Sequence, residues 1–271
     1  MRRLAMSEVT IRALERGLQV LRTLHANRIS SLQDIHALTG IPKPTLLRIL
    51  RTLNREGLVS RRLADGHYRI SALTTAARKH DRHDRVAEAA APVLDRLCRH
   101  VLWPSDLMVP AGTHMEVRET TRMHSPLVLP LKHIGRSIGW LLTGVGRAYL
   151  AFCPASERQR IIQKLQKSDS LDDRLARNPG RLDRILAETR DRGYGIRDAR
   201  FFGGGHKIPP FDDGLAAIAV PLLGRTRVYG SINLLWIRTA FTVEQFAARH
   251  LADLQGAAQE IVGSIQAAKR S

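Results

Sequence analysis

Arg48, Arg51 and Arg55 are spaced three and four residues apart, so on a helix they share one face opposite Leu46, Leu50 and Leu53. A guanidinium on such a face can grip the O6/N7 edge of guanine through two hydrogen bonds or neutralise a phosphate. Lys43 and Thr45 stand at the first turn of the same segment, where a recognition helix meets base edges. Downstream, Arg61, Arg62, His67 and Arg69 flank Asp65-Gly66, a strong hairpin signal. They would place charge on a β-ribbon near the DNA backbone or minor groove. The chemistry these residues predict is recognition of a polyanion.

Catalytic and metal chemistry is harder to assemble. Gly144-Val145-Gly146 starts like a dinucleotide fingerprint, but Tyr149 stands at the third glycine and no long βαβ run follows. His80 and His83 share a helix face but have no cysteine or third ligand at metal spacing. Cys98 and Cys153 are too few and too far apart for a disulfide framework or zinc site, and Cys153 reads as a small buried hydrophobe. No Ser-His-Asp or Cys-His set can be built. The expectation is a protein without catalytic residues, metal or cofactor.

The charge distribution agrees with a polyanion partner. The 271 residues hold 43 Lys and Arg against 25 Asp and Glu, a formal net charge of +18. Residues 1–80 carry 15 and 5 of these, net +10, and the remaining 191 residues only +8. One small, strongly basic module and a larger, less basic partner are implied. The apolar runs are broken well short of a membrane span, and Met1-Arg2-Arg3 leads into an amphipathic stretch and not a signal peptide. A cytoplasmic protein with no membrane partner is expected.

The elements that must position these residues follow from periodicity. Ile11, Leu14, Leu18, Leu21 and Leu24 form a helical stripe. A second helix is expected from Ser30, with Gln33 completing a capping box, to Gly40; a third runs from Pro42 to Gly57. With the hairpin that follows, the order is that of a winged helix-turn-helix. Residues 78–85 are wholly polar, after which Val86, Ala90, Val93, Leu94 and Leu97 restore a stripe that Pro92 kinks or breaks. From Trp103 onward, short strands alternate with helices: a hairpin around Gly112, a buried helix over 144–152, a helix from a second box at Ser156 and Gln159, and an amphipathic segment over 181–192. Strands over 216–222 and 228–237 and a helix capped by Thr242 complete the chain. The fold class predicted is α+β: a winged helix-turn-helix over 8–71, a linker helix over 72–85, and a domain with an antiparallel sheet over 86–271, of the kind that encloses a small molecule.

The segment Gly40-Ile41-Pro42-Lys43-Pro44-Thr45-Leu46-Leu47-Arg48-Ile49-Leu50-Arg51-Thr52-Leu53 resembles the recognition segment of the IclR family of bacterial transcriptional regulators. Tyr68-Arg69-Ile70 resembles its wing, Thr143-Gly144-Val145-Gly146-Arg147-Ala148-Tyr149-Leu150-Ala151 its effector-domain helix, and Ala216-Ala217-Ile218-Ala219-Val220-Pro221 its buried strand. The likeness spans about residues 10–265, with these motifs in the family's order. Trp103-Pro104-Ser105-Asp106, Val117-Arg118-Glu119-Thr120-Thr121 and Leu150-Ala151-Phe152-Cys153-Pro154 are patterns shared with regulators of 3-(3-hydroxyphenyl)propionate catabolism. The resemblance implies a GAF-like effector domain and dimers or tetramers on palindromic operators. Pro44 departs from the serine common in the family, and residues 202–210, with three glycines and two prolines, lengthen a loop beside the implied pocket as a lid or an irregular turn.

Carried over by position, the family's effector contacts fall on Gly144, Val145, Ala217, Asn233 and Leu235. Free N–H groups at a helix start favour a carboxylate, and an amide within an apolar strand needs a partner. Trp140 and Trp236 could face an aromatic ring, and Arg118, His133 and Arg136 could pair with an acid; each reads equally as core packing or solvated charge. The implied effector is a small organic acid. An enzyme tethered to nucleic acid and an architectural DNA-binding protein are the alternatives.

Overall fold

A computed structural model describes residues 11–71, 82–126, 137–168, 173–201 and 212–268. The chain divides into two units, Met1–Arg78 and Lys79–Ser271.

In the first unit, α1 (Arg12–Asn27), α2 (Leu32–Thr39) and α3 (Lys43–Arg55) precede an antiparallel pair, β1 (Val59–Arg61) and β2 (Tyr68–Ile70). Its core joins Val20, Leu24, Ile35, Leu46, Leu50, Val59 and Tyr68. The capping box of α2 lies one residue later than the sequence suggested, at Ser31 and Asp34. Ser30 is engaged elsewhere: it exchanges backbone hydrogen bonds with Tyr68 at 3.0 and 2.8 Å, tying the start of α2 to the wing. Gly40 ends α2 at φ +67°, a conformation glycine adopts without Cβ strain. The stripe predicted for α1 is only partly internal. Of that stripe Leu24 is buried and Leu21 half-buried, whereas Ile11, Leu14 and Leu18 lie exposed in a row; Val20, outside the stripe, fills the other buried position.

The second unit opens with α4 (Arg82–Val101), which runs unbroken through Pro92 and buries Val86, Ala90, Val93, Leu94 and Leu97 as expected. The rest of the proposed linker, residues 72–81, lies outside the described residues. Next come β3 (Asp106–Ala111) and β4 (His114–Thr120), joined across Gly112, and β5 (Ser137–Ile138). Helix α5 (Gly144–Phe152) is followed by α6 (Ala155–Gln166), a 3-10 turn at Asp173–Arg177, and α7 (Pro179–Arg192). Helix α6 starts after Pro154 with no side-chain cap, so the second capping box expected at Ser156 does not form. The chain ends with β6 (Gly195–Ile196), β7 (Leu215–Leu223), β8 (Val228–Ile237) and α8 (Val243–Ala267), the last capped by Thr242 with Gln245.

These strands make one antiparallel sheet in the order β5-β4-β3-β8-β7-β6, giving the α+β architecture predicted. Directly paired residues point to the same side of a sheet. Ala217, Ala219, Leu235 and Asn233 therefore share one face, and α5 lies on it, with Gly144 next to Ala219. Ala216 and Trp236 point to the other face, where Trp236 stacks on Phe246 of α8 with ring centroids 3.9 Å apart. The glycines of the α5 motif are packing residues. A Cβ on Gly146 would lie 2.1 Å from the Trp140 carbonyl oxygen, and one on Gly195 would lie 2.1 Å from that of Gly144.

The close approach makes Gly195→Ala an overpacked variant, expected to cost about 1–3 kcal/mol. All three tryptophans lie in the second unit, so denaturant unfolding followed by tryptophan fluorescence reports the loss. Gly256→Ala, inside α8 and with nothing within 4 Å of its Cβ, should hold or slightly raise the midpoint; equal midpoints for the two variants would refute the packing role.

Candidate functional site

The residues expected to face DNA divide into two groups. On α3, Leu46 and Leu50 point into the core and Lys43, Arg48 and Arg51 point to solvent. Among the described residues, none of these three cations has a carboxylate partner. Arg55 shares the exposed face but pairs with Glu56 at 3.2 Å, a contact weak enough for phosphate to displace. Thr45 is half-buried. A row of unpaired cations on an otherwise well-packed helix-turn-helix has no structural task and suits nucleic-acid phosphates and base edges.

The wing is more self-occupied than its sequence suggested. Arg61 is exposed, donates to the Gly66 carbonyl at 3.2 Å, and lies over the Tyr68 ring. Arg62 pairs with Asp65 at 3.6 Å, and the His67 backbone N–H donates to the same carboxylate at 3.1 Å. Arg69 is buried and donates to the Ser60 hydroxyl at 3.2 Å across the strand pair. Tyr68 and Ile70 on either side of it face the helical core, so Arg69 shares the opposite face of the ribbon with Ser60 and is buried there. It braces the wing and does not belong to the exposed DNA-facing set.

The sheet face under α5 gathers Gly144, Val145, Ala217, Asn233 and Leu235, with Leu215 beside the last pair. Thr143 caps α5 by accepting from the Gly146 N–H at 3.2 Å, and the earlier N–H groups of the turn find no acceptor among the described residues. Asn233 is already half-committed: its Oδ1 accepts the Asp106 N–H at 2.7 Å, where β3 leaves β8. Only its amide donors remain available. Trp140 is buried beside α5, edge-on to Tyr149 at 5.5 Å, and its indole N–H has no partner among the described residues.

Two residues proposed from sequence do not join this face. Trp236 faces α8 and donates its indole N–H to the Phe241 carbonyl at 3.1 Å. Arg118 points toward α4, paired with Asp84 at 3.3 Å and Glu116 at 2.9 Å. A one-residue step along a strand reverses the face, and side-chain chemistry alone did not give the phase. His133, Arg136, His80 and the loop at 202–210 lie outside the described residues.

The structure adds a polar rim that sequence reasoning missed. Arg122 binds Asp106 through Nη2 at 2.9 Å and Nε at 3.2 Å, and Thr120 donates to the same carboxylate at 2.6 Å. Burial opposes the charge on Arg122, and the Asp106 carboxylate more than restores it. Arg197 pairs with Asp213 at 2.6 Å, and Arg147 with Asp198. Burial opposes the charge on Asp198 too, but hydrogen bonds from Arg200 and Arg147 outweigh it and hold its carboxyl well below the ordinary range.

Burial pushes the Cys153 thiol up to about 12 and raises Cys98 as well, so neither supplies a thiolate near neutral pH. Among the described residues, no group of three His, Cys, Asp or Glu is placed to hold a metal ion, and no helix is long and apolar enough to cross a membrane.

Residues 13–63 match the IclR helix-turn-helix domain, and residues 79–262 match the bacterial transcriptional regulator IclR C-terminal model. The chain is 27% identical over 260 residues to the "Probable transcriptional regulator SauR" of Cupriavidus necator, covering 95% of this chain and 98% of that one. It is also 27% identical over 233 residues to the glycerol operon regulatory protein of Streptomyces coelicolor, covering 80% and 81%. Among solved structures, an IclR homologue from Microbacterium hydrocarbonoxydans complexed with 4-hydroxybenzoate shares the fold at TM-score 0.52 and 21% identity, covering 94% and 99%. A transcriptional regulator from Alicyclobacillus acidocaldarius does so at 0.51 and 21%, covering 95% and 100%.

The two arginine classes should separate on substitution. Arg48→Ala is expected to weaken operator binding by about 1–3 kcal/mol if it reads a base and to leave thermal stability unchanged. Arg69→Ala should instead destabilise the first unit by about 1–3 kcal/mol through loss of a charged hydrogen bond. Mobility shifts over a salt series, paired with thermal melts, test both; an Arg69 variant of full stability would return that residue to the DNA surface.

Proposed function

The chain belongs to the IclR family and is a DNA-binding transcriptional regulator, not an enzyme, and from that premise we propose that it binds a palindromic operator and that a small aromatic carboxylic acid tunes this binding to control a catabolic operon. In this reading it works in the cytoplasm, with residues 8–71 as the DNA-binding domain, 72–85 as linker and 86–271 as effector domain. Lys43, Thr45, Arg48, Arg51 and Arg55 meet base edges and phosphates, and Arg61, Arg62 and His67 contact the backbone.

The observation that carries the effector reading is the convergence on one sheet face of the α5 start, the Asn233 amide and the apolar patch of Leu215, Ala217 and Leu235. The first N–H groups of α5 and the Asn233 NH2 donate to the carboxylate, and the apolar patch with Trp140 accommodates the ring. The homologue solved with 4-hydroxybenzoate supports an aromatic acid, and the patterns shared with hydroxyphenylpropionate regulators make those acids the first to test. Ligand changes transcription only by binding one arrangement of the winged helices more tightly than another, typically by about 1–3 kcal/mol.

Calorimetry with hydroxyphenylpropionates, cinnamates and benzoates, with and without operator, is expected to find one acid whose affinity changes with DNA by the factor by which that acid changes DNA affinity. Asn233→Leu should weaken it. No binding by any acid of the panel would overturn the effector assignment.

A single winged helix reads one half-site, so specificity on a palindrome requires a two-fold pair of chains. Ile11, which precedes α1, forms with Leu14 and Leu18 an exposed apolar row that we assign to this contact. Light scattering of the whole protein should show a dimer or tetramer, and Leu14→Glu with Leu18→Glu should lower the assembly state or the operator affinity; a monomer with full operator affinity would refute it.

A further inference from the structure

A cavity of about 460 Å³ lies beside the β7–β8 hairpin, away from the start of α5. Its walls come from α4, α6, the C-terminal part of α5, the β7–β8 hairpin and the end of α8. Val228 of the hairpin is five residues along β8 from Asn233 and seven from Leu235, about 17 and 23 Å at the usual strand rise. The cavity is therefore separate from the face that holds Asn233 and Leu235.

Three guanidinium groups reach it from three different elements: Arg85 from α4, Arg160 from α6 and Arg227 from the hairpin. All three residues are exposed, and among the described residues none has a carboxylate partner. Arg160 uses only its Nε, in a 3.4 Å contact to the Ser156 carbonyl. This sets them apart from Arg118, Arg122, Arg147 and Arg197 of the same unit, each paired with an acid. One carboxylate lines the cavity, Glu157, and it already accepts a hydrogen bond from the Tyr149 hydroxyl at 2.8 Å. Between the cations, Val86, Val228 and Ile265 give the cavity an apolar floor.

Like charges around one concavity repel each other and raise the local concentration of anions. A volume of this size falls within the range of small-molecule sites, and an apolar floor with a few charged groups at the rim matches their composition. We propose that this cavity is a second ligand site, for a small organic anion with an apolar body, such as a phosphate monoester or carboxylate. The apolar part rests on Val86, Val228 and Ile265, and the anionic group is held by Arg85, Arg160 and Arg227. Because α4 is the first helix of the second unit and forms one wall, an occupant ties α4 to α6 and to the hairpin. The proposal is independent of the effector reading, since the two sites share no residue.

The test uses the full chain with phenyl phosphate as the probe, inorganic phosphate and benzylamine as controls, and calorimetry or ligand-observed NMR as the readout. Phenyl phosphate should bind, benzylamine should not, and inorganic phosphate should bind at least tenfold more weakly for want of an apolar body. The exposed double variant R160E/R227E should weaken phenyl phosphate at least tenfold, with R85E as a second variant acting in the same direction, whereas N233L should leave it unchanged. Absence of phenyl phosphate binding overturns the proposal. So does binding that survives R160E/R227E but is lost in N233L, which would assign the probe to the sheet face. Loss of operator affinity in R160E/R227E with probe binding intact also overturns it, by assigning these arginines to DNA.

Discussion

The first turn of α5 rests on bare backbone, Gly146 against the Trp140 carbonyl and the Gly144 carbonyl against Gly195. Nothing larger than hydrogen fits at either contact, so the height of the helix above the sheet is set by main-chain van der Waals radii. That height places the α5 start over Ala217, Ala219 and Asn233. It also fixes where Tyr149, one and a half turns further on, meets Glu157 on α6. Both ends of one short helix are thus positioned by two glycine contacts.

The sheet beneath is held at its middle by an unusual amount of buried polarity. β3 and β8 pair at only two positions, Leu107↔Ile232 and Met108↔Ser231. Asn233 extends the seam with its side chain, and the Asp106 it holds is in turn clasped by Arg122 and Thr120. A buried pair of this kind adds little net stability over an apolar one, but leaving either partner alone costs about 3–5 kcal/mol. The seam is therefore specific in geometry and intolerant of single changes.

Helical periodicity and turn chemistry made most of this fold legible in advance. The stripe in α4, the Thr242 cap, the hairpin at Gly112 and the whole winged helix follow from spacing, because local sequence decides them. The capping box of α2 came one residue early because Ser30 and Ser31 are chemically equal, and only the long-range bridge to Tyr68 distinguishes them. The same limit applies to the site. Gly144, Ala217, Asn233 and Leu235 were placed on one face, but Trp236 and Arg118 fell on the other, since strand phase depends on register with partners far along the chain. The burial of Arg69 was missed for a similar reason: its neighbour Ser60 is a cross-strand one. The Asp106–Arg122 clasp carries no periodic signature at all.

The strand order carries a consequence for how the protein is made. The core of the first unit, from Val20 to Tyr68, is complete once the first seventy or so residues have left the ribosome. The sheet of the second unit is not, because β3 lies between β4 and β8, and the Asp106–Asn233 bond spans 127 residues. At about 5–20 residues per second, β3 waits roughly 6–25 s for its partner. During that interval Leu107, Met108 and Val109 present an open, apolar strand edge, the kind of surface that pairs with whatever strand is nearby. Translation that stalls or terminates before β8 therefore releases a chain with a finished DNA-binding unit joined to a sticky half-sheet, and the last strand to be synthesised decides whether the newborn regulator stays soluble.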